Sequence, residues 1–125
     1  MSVMPDNFAV SHEKLGARCH LVIVKGELDL FTAPAFKDVT EKTLETPGAQ
    51  IVIDLSEVTF LDSTALGVLI STLRAARDHG GDLALICTDP KVLATFSITG
   101  LDRVFTITED RAGALTLLGQ SLSSS

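Results

Sequence analysis

Basic residues are scarce in this chain. Ten Lys and Arg stand against sixteen Asp and Glu in 125 residues, giving a formal charge of -6. A nucleic-acid binder needs a basic footprint to neutralise phosphates, and docking on anionic lipid needs the same. The charge balance speaks against both. Long apolar runs are missing too. The longest, Ala65 to Ile70, falls well short of the roughly 20 residues that cross a bilayer. The N-terminus, "MSVMPDNFAV", lacks the basic start and apolar stretch of a secretory signal. The expectation is a cytoplasmic domain with no membrane and no nucleic acid among its partners.

The usual marks of catalysis are absent as well. There is no Walker A loop and no G-x-G-x-x-G. There is no G-x-S-x-G, because Leu61 and Ala65 flank the triplet Asp62-Ser63-Thr64 where glycines would stand. The two cysteines, Cys19 and Cys87, have neither C-x-x-C spacing nor a histidine cluster beside them, and both fall in strand-like stretches, so they read as buried thiols. No group of His, Cys, Asp and Glu has metal-ligand spacing. The histidines are His12, His20 and His79. His79 would sit at the far end of a helix starting near Ser63, about 24 Å away by helix rise. No base for Ser63 is in view, so the chain is expected not to be an enzyme and to need no cofactor.

What is present is a core and a clear alternation. Apolar residues make up 46% of the chain, enough for one compact domain of this length. "FAVSHEKLGARCHLVIVKG" predicts two short strands around a turn at Lys14-Leu15-Gly16. A helix follows in "APAFKDVTEKTLETPG", with Thr32 as cap, Pro34 in the first turn and Pro47-Gly48 as the stop. Its inner face would carry Phe36, Val39, Thr40 and Leu44. "QIVIDLS" is a nearly continuous apolar strand, the kind usually covered on both faces. Leu66, Leu69, Ile70, Leu73 and Ala76 then recur at helical spacing up to Gly80-Gly81. "DLALIC" predicts a strand, Asp89-Pro90 opens a short helix closed by Gly100, and "VFTI" a last edge strand. A terminal helix in "TEDRAGALTLLGQ" would hold acids in its first turn. This order predicts an α/β fold, with a mixed, mostly parallel sheet, about four helices and an opening hairpin. Residues 1–7 are expected to be a flexible start, 8–119 the domain, and 120–125 a frayed Ser-rich tail.

Two stretches stand out for function. In "FLDSTALG" an apolar strand runs into three small polar residues and then into a helix. Asp62 suits an N-cap, and Ser63 and Thr64 are tolerated in a first turn, so a cap alone explains the triplet. The corner also lies at the C-terminal end of a central strand, where open α/β sheets gather ligand and partner sites. Gly67 inside a helix costs about 1 kcal/mol against Ala. Either close approach by another molecule or tight packing on the sheet would account for it. The second stretch is "GELDLFTA", with Glu27 and Asp29 as carboxylates on a loop. It would share an edge with Ser63 if the strand before it runs parallel to "IVIDL", and would offer contacts to a basic partner.

"GELDLFTAPAF", "IVIDLSEVTFLDSTALGVLISTLRAARDHGGDLALI" and "VLATFSITGLDRVFTI" together resemble the anti-sigma factor antagonists of the STAS domain family. The likeness runs from about Val10 to about Leu118, and the D-S-[ST]-x-L-G element is its most specific part. The resemblance implies a single STAS domain that binds an anti-sigma factor which is also a serine kinase. The kinase phosphorylates the serine after the motif Asp, and a serine phosphatase resets it. Carried over residue by residue, Ser63 is the acceptor and Asp62 positions it and caps the helix. Thr64 and Gly67 neighbour it in the interface, Asp29 contacts the kinase, and Glu27 is a weaker contact. The free protein would be a monomer. Many members have Gly where this chain has Ala65, which leaves the acceptor in place. The family also includes domains on anion transporters and in sensor assemblies; the missing membrane segment and sensor domain argue against those. A module binding a nucleotide at the helix end near Ser63, as a sensor, is the alternative. It lacks a glycine-rich loop, and no basic residue follows Ser63 before Arg74.

Overall fold

Residues 7–119 are described in the computed structural model, so the expected tail at 120–125, and all but Asn7 of the expected loose start, lie outside the described residues. The first two strands, β1 (Ala9–Lys14) and β2 (Cys19–Leu28), pair antiparallel around the turn that follows Lys14. Three helix–strand units follow: helix α1 (Ala33–Thr43), strand β3 (Gln50–Leu61), helix α2 (Ser63–Asp78), strand β4 (Asp82–Ile86), helix α3 (Pro90–Ile98) and strand β5 (Thr106–Thr108). A short 3-10 turn, Leu101–Arg103, precedes β5, and helix α4 (Arg111–Leu117) closes the described chain. The sheet order is β1-β2-β3-β4-β5, parallel from β2 onward. The single domain with a mixed five-stranded sheet and four helices is the architecture the sequence predicts.

The two faces of the sheet are covered unequally. Val22, Val24, Ile51, Ile53, Leu55, Leu83 and Leu85 form one buried cluster with Phe36 of α1, Leu66, Leu69 and Leu73 of α2, and Phe96 of α3. The other face carries a smaller cluster, Leu21, Val52, Ala84 and Ile86, closed by Ala114 of α4. Both faces of β3 are therefore buried along Ile51–Ile53, which is why that segment reads as an unbroken apolar run. Arg111 of α4 also reaches Asp54 on β3 at 3.7 Å. Phe36 and Phe96 are fully buried, so truncating either to Ala costs on the order of 3–5 kcal/mol. Cys19 and Cys87 are buried free thiols, and burial pushes both up from the usual thiol range.

Several local readings need correction. Strand β2 does not end at Gly26 but runs on to Leu28, because Gly26 takes a φ of 94° at a bulge and pairing resumes beyond it. Only glycine fits there, since a Cβ would stand 2.3 Å from the carbonyl oxygen of Asn7. Strand β3 likewise continues past Ser56 to Leu61, because Glu57–Leu61 pair with Lys25–Leu28. The acids Glu109 and Asp110 precede α4, with Asp110 as its cap, and none lies in the first turn. On α1, Phe36 and Thr40 are buried as expected, together with Ala33 and Thr43, while Val39 and Leu44 are only partly buried.

Candidate functional site

Two turns leave the sheet at the same edge. The parallel pairing of β2 with β3 ends at the Leu28↔Leu61 step. Beyond it the chain turns at Asp29–Thr32 into α1 and at Asp62 into α2. Asp62 is the N-cap of α2: its backbone is extended and its Oδ1 accepts a hydrogen bond from the Ala65 N–H at 3.1 Å. That satisfies one of the free donors at the helix start. The other carboxylate oxygen does something the sequence did not announce. Asp62 Oδ2 accepts the Leu30 N–H at 3.1 Å, and the Asp62 N–H donates to the Leu28 carbonyl at 3.2 Å. One residue ties both turns together. The signal for this lay only in the topology, because the two turns are distant in the chain.

The Asp29 turn is held as firmly from within. Asp29 Oδ1 accepts the N–H groups of Phe31 at 2.9 Å and Thr32 at 3.1 Å, and the Asp29 carbonyl accepts from the Ala33 N–H. Thr32 was expected to cap α1, but its hydroxyl makes no cap bond. It donates instead to the Glu27 carbonyl and accepts from the Asp29 N–H, both at 2.8 Å. No side chain caps α1; its first N–H, that of Ala33, is met by the Asp29 carbonyl. Glu27, expected on the loop, is an exposed residue of β2 opposite Phe60. The structure thus brings Asp29 and Asp62 to one hydrogen-bonded edge and leaves Glu27 on the adjoining strand end.

Ser63 and Thr64 open α2 and are both exposed. The helix keeps His79 at its opposite end, as its C-cap residue. His12 and His20 lie elsewhere, bonded to each other at 2.8 Å, with His20 Nε2 also 2.9 Å from the Thr46 hydroxyl. Burial lowers the pKa of His20, with the nearby His12 and Lys14 adding to the effect. Both oxygens of Asp62 are engaged by backbone N–H groups, so it serves as a cap and a clamp. Among the described residues no group of three or more His, Cys, Asp or Glu could hold a metal ion, and no helix is long and apolar enough to cross a membrane.

Gly67 resolves one of the two explanations left open for it. It is exposed, and a Cβ built there meets nothing within 4 Å. Packing against the sheet does not require it. Gly67 borders a groove of about 410 Å³ between α1 and α2, lined by Lys37, Glu41, Thr64, Val68 and Ser71 among others. The groove holds one cation and one carboxylate, a weak match to a polyphosphate.

The exposed Ser63 therefore stands at the C-terminal end of a central strand of a small mixed-sheet domain, directly after the Asp62 cap. The family model of the STAS domain matches residues 15–114. The "Anti-sigma-B factor antagonist" of Listeria monocytogenes is 35% identical over 86 residues, covering 69% of this chain and 75% of that protein. That of Bacillus subtilis is 32% identical over 94 residues, covering 75% and 85%. Among solved structures, an anti-sigma factor antagonist from Mycobacterium paratuberculosis superposes with a TM-score of 0.81 at 30% identity, covering 96% of this chain and all of that one. The chain belongs to the STAS domain family, among its anti-sigma factor antagonists.

Proposed function

We propose that this protein, in its dephosphorylated form, binds an anti-sigma factor that is also a serine kinase, and so frees the sigma factor. Phosphorylation of Ser63 ends the complex, and a serine phosphatase restores it. The observation that carries this reading is the exposed Ser63 hydroxyl at the start of α2, beside the edge that Asp62 and Asp29 build. The reaction takes place in the cytoplasm, with a monomer as the free form.

The kinase brings ATP; its γ-phosphoryl group passes to Ser63 Oγ, ADP leaves, and the hydroxyl proton goes to a base. With Asp62 occupied as cap and clamp and His79 at the far helix end, that base comes from the kinase. The product carries about -1.5 to -2 charges near neutral pH. The free N–H groups of the first helical turn favour a phosphate there, while Asp62 next to it repels the phosphate by about 1 kcal/mol per charge in water. The fold survives this balance. A partner packed against Ser63 does not, because the added volume and charge fall inside its contact surface.

The test is a titration of two variants against the cognate kinase. Ser63→Ala binds as the unmodified protein does and takes no phosphate from labelled ATP; Ser63→Asp binds at least about tenfold more weakly. Equal affinities of the two variants sink the switch. The nucleotide-sensor alternative is separated by calorimetry with ATP and GTP on the isolated protein, since only that alternative yields heat without the kinase.

A further inference from the structure

The Asp29 turn displays something that neither its carboxylates nor Ser63 explain. Its two central residues are apolar, adjacent and turned to solvent: Leu30 is 61% exposed and Phe31 78%. Phe60, opposite Glu27 at the end of β3, is exposed too. Scattered surface hydrophobics are ordinary. These sit on a turn that is hydrogen-bonded throughout. All five backbone N–H groups from Asp29 to Ala33 are bonded, to Thr32 Oγ1, Asp62 Oδ2, Asp29 Oδ1 twice, and the Asp29 carbonyl. A turn fixed in this way presents Leu30 and Phe31 with the backbone ordering already done, which is what an interface anchor requires.

We infer that Leu30 and Phe31 are the apolar anchor of the partner interface, and that Phe31 enters an apolar pocket on the anti-sigma factor kinase whose rim carries Lys or Arg. The inference rests on the function proposed above and adds the partner's surface chemistry. The rim follows from charge. Asp29 precedes the anchor, Asp62 bonds its Leu30 N–H and Glu27 lies opposite Phe60, and among the described residues none of these acids forms an ion pair. The same charges argue against a second copy of this chain as occupant. A two-fold interface would set the patch against itself and bring like carboxylates together. Continuity argues for the kinase: Leu30 is hydrogen-bonded to Asp62, whose neighbour Ser63 must enter that kinase's active site. An apolar contact beside the acceptor holds the substrate while its charge is still unchanged.

The experiment is calorimetric titration of the full chain with the purified kinase that phosphorylates Ser63, without ATP. Phe31→Ala weakens binding by about 30-fold, the size of an interface hot spot. Leu30→Ala weakens it less, and Ile98→Ala, equally apolar and 85% exposed on α3, leaves it unchanged. Raising salt to about 300 mM shrinks the loss caused by Glu27→Gln and leaves the loss caused by Phe31→Ala intact. Thermal melts of the variants match the parent, because Phe31 buries little in the free protein. If the parent binds and Phe31→Ala binds within about twofold of it, the anchor is wrong and the proposed function stands. If the parent neither binds the kinase nor takes phosphate at Ser63, both fall. If Phe31→Ala instead converts a dimer to a monomer in sedimentation, the patch pairs copies of this chain and the inference is overturned.

Discussion

Asp62 holds two structures at once, and substitution can separate them. Oδ1 caps α2 through the Ala65 N–H, and Oδ2 holds the Leu30 N–H across the edge, each at 3.1 Å. Asp62→Ala removes both. Loss of an N-cap costs about 1 kcal/mol. Loss of the charge-assisted bond to Leu30, which is solvent-exposed, costs about 0.5–1 kcal/mol more. The sum, roughly 1.5–2 kcal/mol, lowers the melting temperature by about 5–10 °C for a domain of this size. Asp62→Asn is the discriminating change. Its amide oxygen can still cap Ala65, but its NH₂ group is a donor and cannot accept from Leu30. Asn should therefore lose only the smaller part. Amide hydrogen exchange reads the two bonds individually: the Leu30 amide speeds up in both variants, the Ala65 amide in Asp62→Ala alone. Should Asp62→Asn leave the Leu30 amide as protected as in the parent, the clamp across the two turns does not exist and the reasoning fails.

Gly67→Ala should raise stability by about 1 kcal/mol, since the helix gains a better former and the new methyl meets nothing, while weakening kinase binding; a stabilised variant with full affinity would show that no partner approaches there. His20 supplies a pH dependence. Its folded pKa lies below the usual 6.5, chiefly through burial, so the unfolded chain binds more protons as the pH falls through that value. Stability should drop from about pH 6.5 downward, to the folded pKa, and His20→Gln should flatten the slope of melting temperature in that window; an unchanged slope assigns the effect to other groups. The Ser63→Ala and Ser63→Asp pair, and the Phe31→Ala titration, complete the set.

The element order was legible because α2, α3 and α4 carry their own punctuation. Asp62, Asp89 and Asp110 are caps in the structure, and Gly80 and Gly100 take positive φ where the helices were expected to end. Strand lengths were harder. Beyond Ser56 the alternation in "EVTFL" is irregular, because bulges shift the register between β2 and β3 and only one face of that extension is buried. For the same reason Gly26 looked like the end of a strand when it is a bulge within one. Ser63, Asp62 and Asp29 could be singled out from local chemistry and family likeness. The bond from Leu30 to Asp62 could not, since it depends on which strands are neighbours and on their direction. Thr32 misled for a plainer reason: a threonine before an Ala-Pro start is a sound cap, and here its hydroxyl was taken by the turn it belongs to.

The sheet's strand order has a consequence for how the molecule comes apart. Because β1 to β5 lie side by side in the order of the chain, each pairing closes only the connection to the next strand, and loop closure stays cheap. The edge that carries Asp29, Asp62 and Ser63 is complete once β2, α1, β3 and the start of α2 have joined. Among the described residues, nothing after α2 supplies a hydrogen bond to it. At the other side β5 has three residues and α4 seven, with Ala114 as that helix's one buried residue. Local opening should begin there. The molecule can breathe at its C-terminal side while the surface a partner reads keeps its shape.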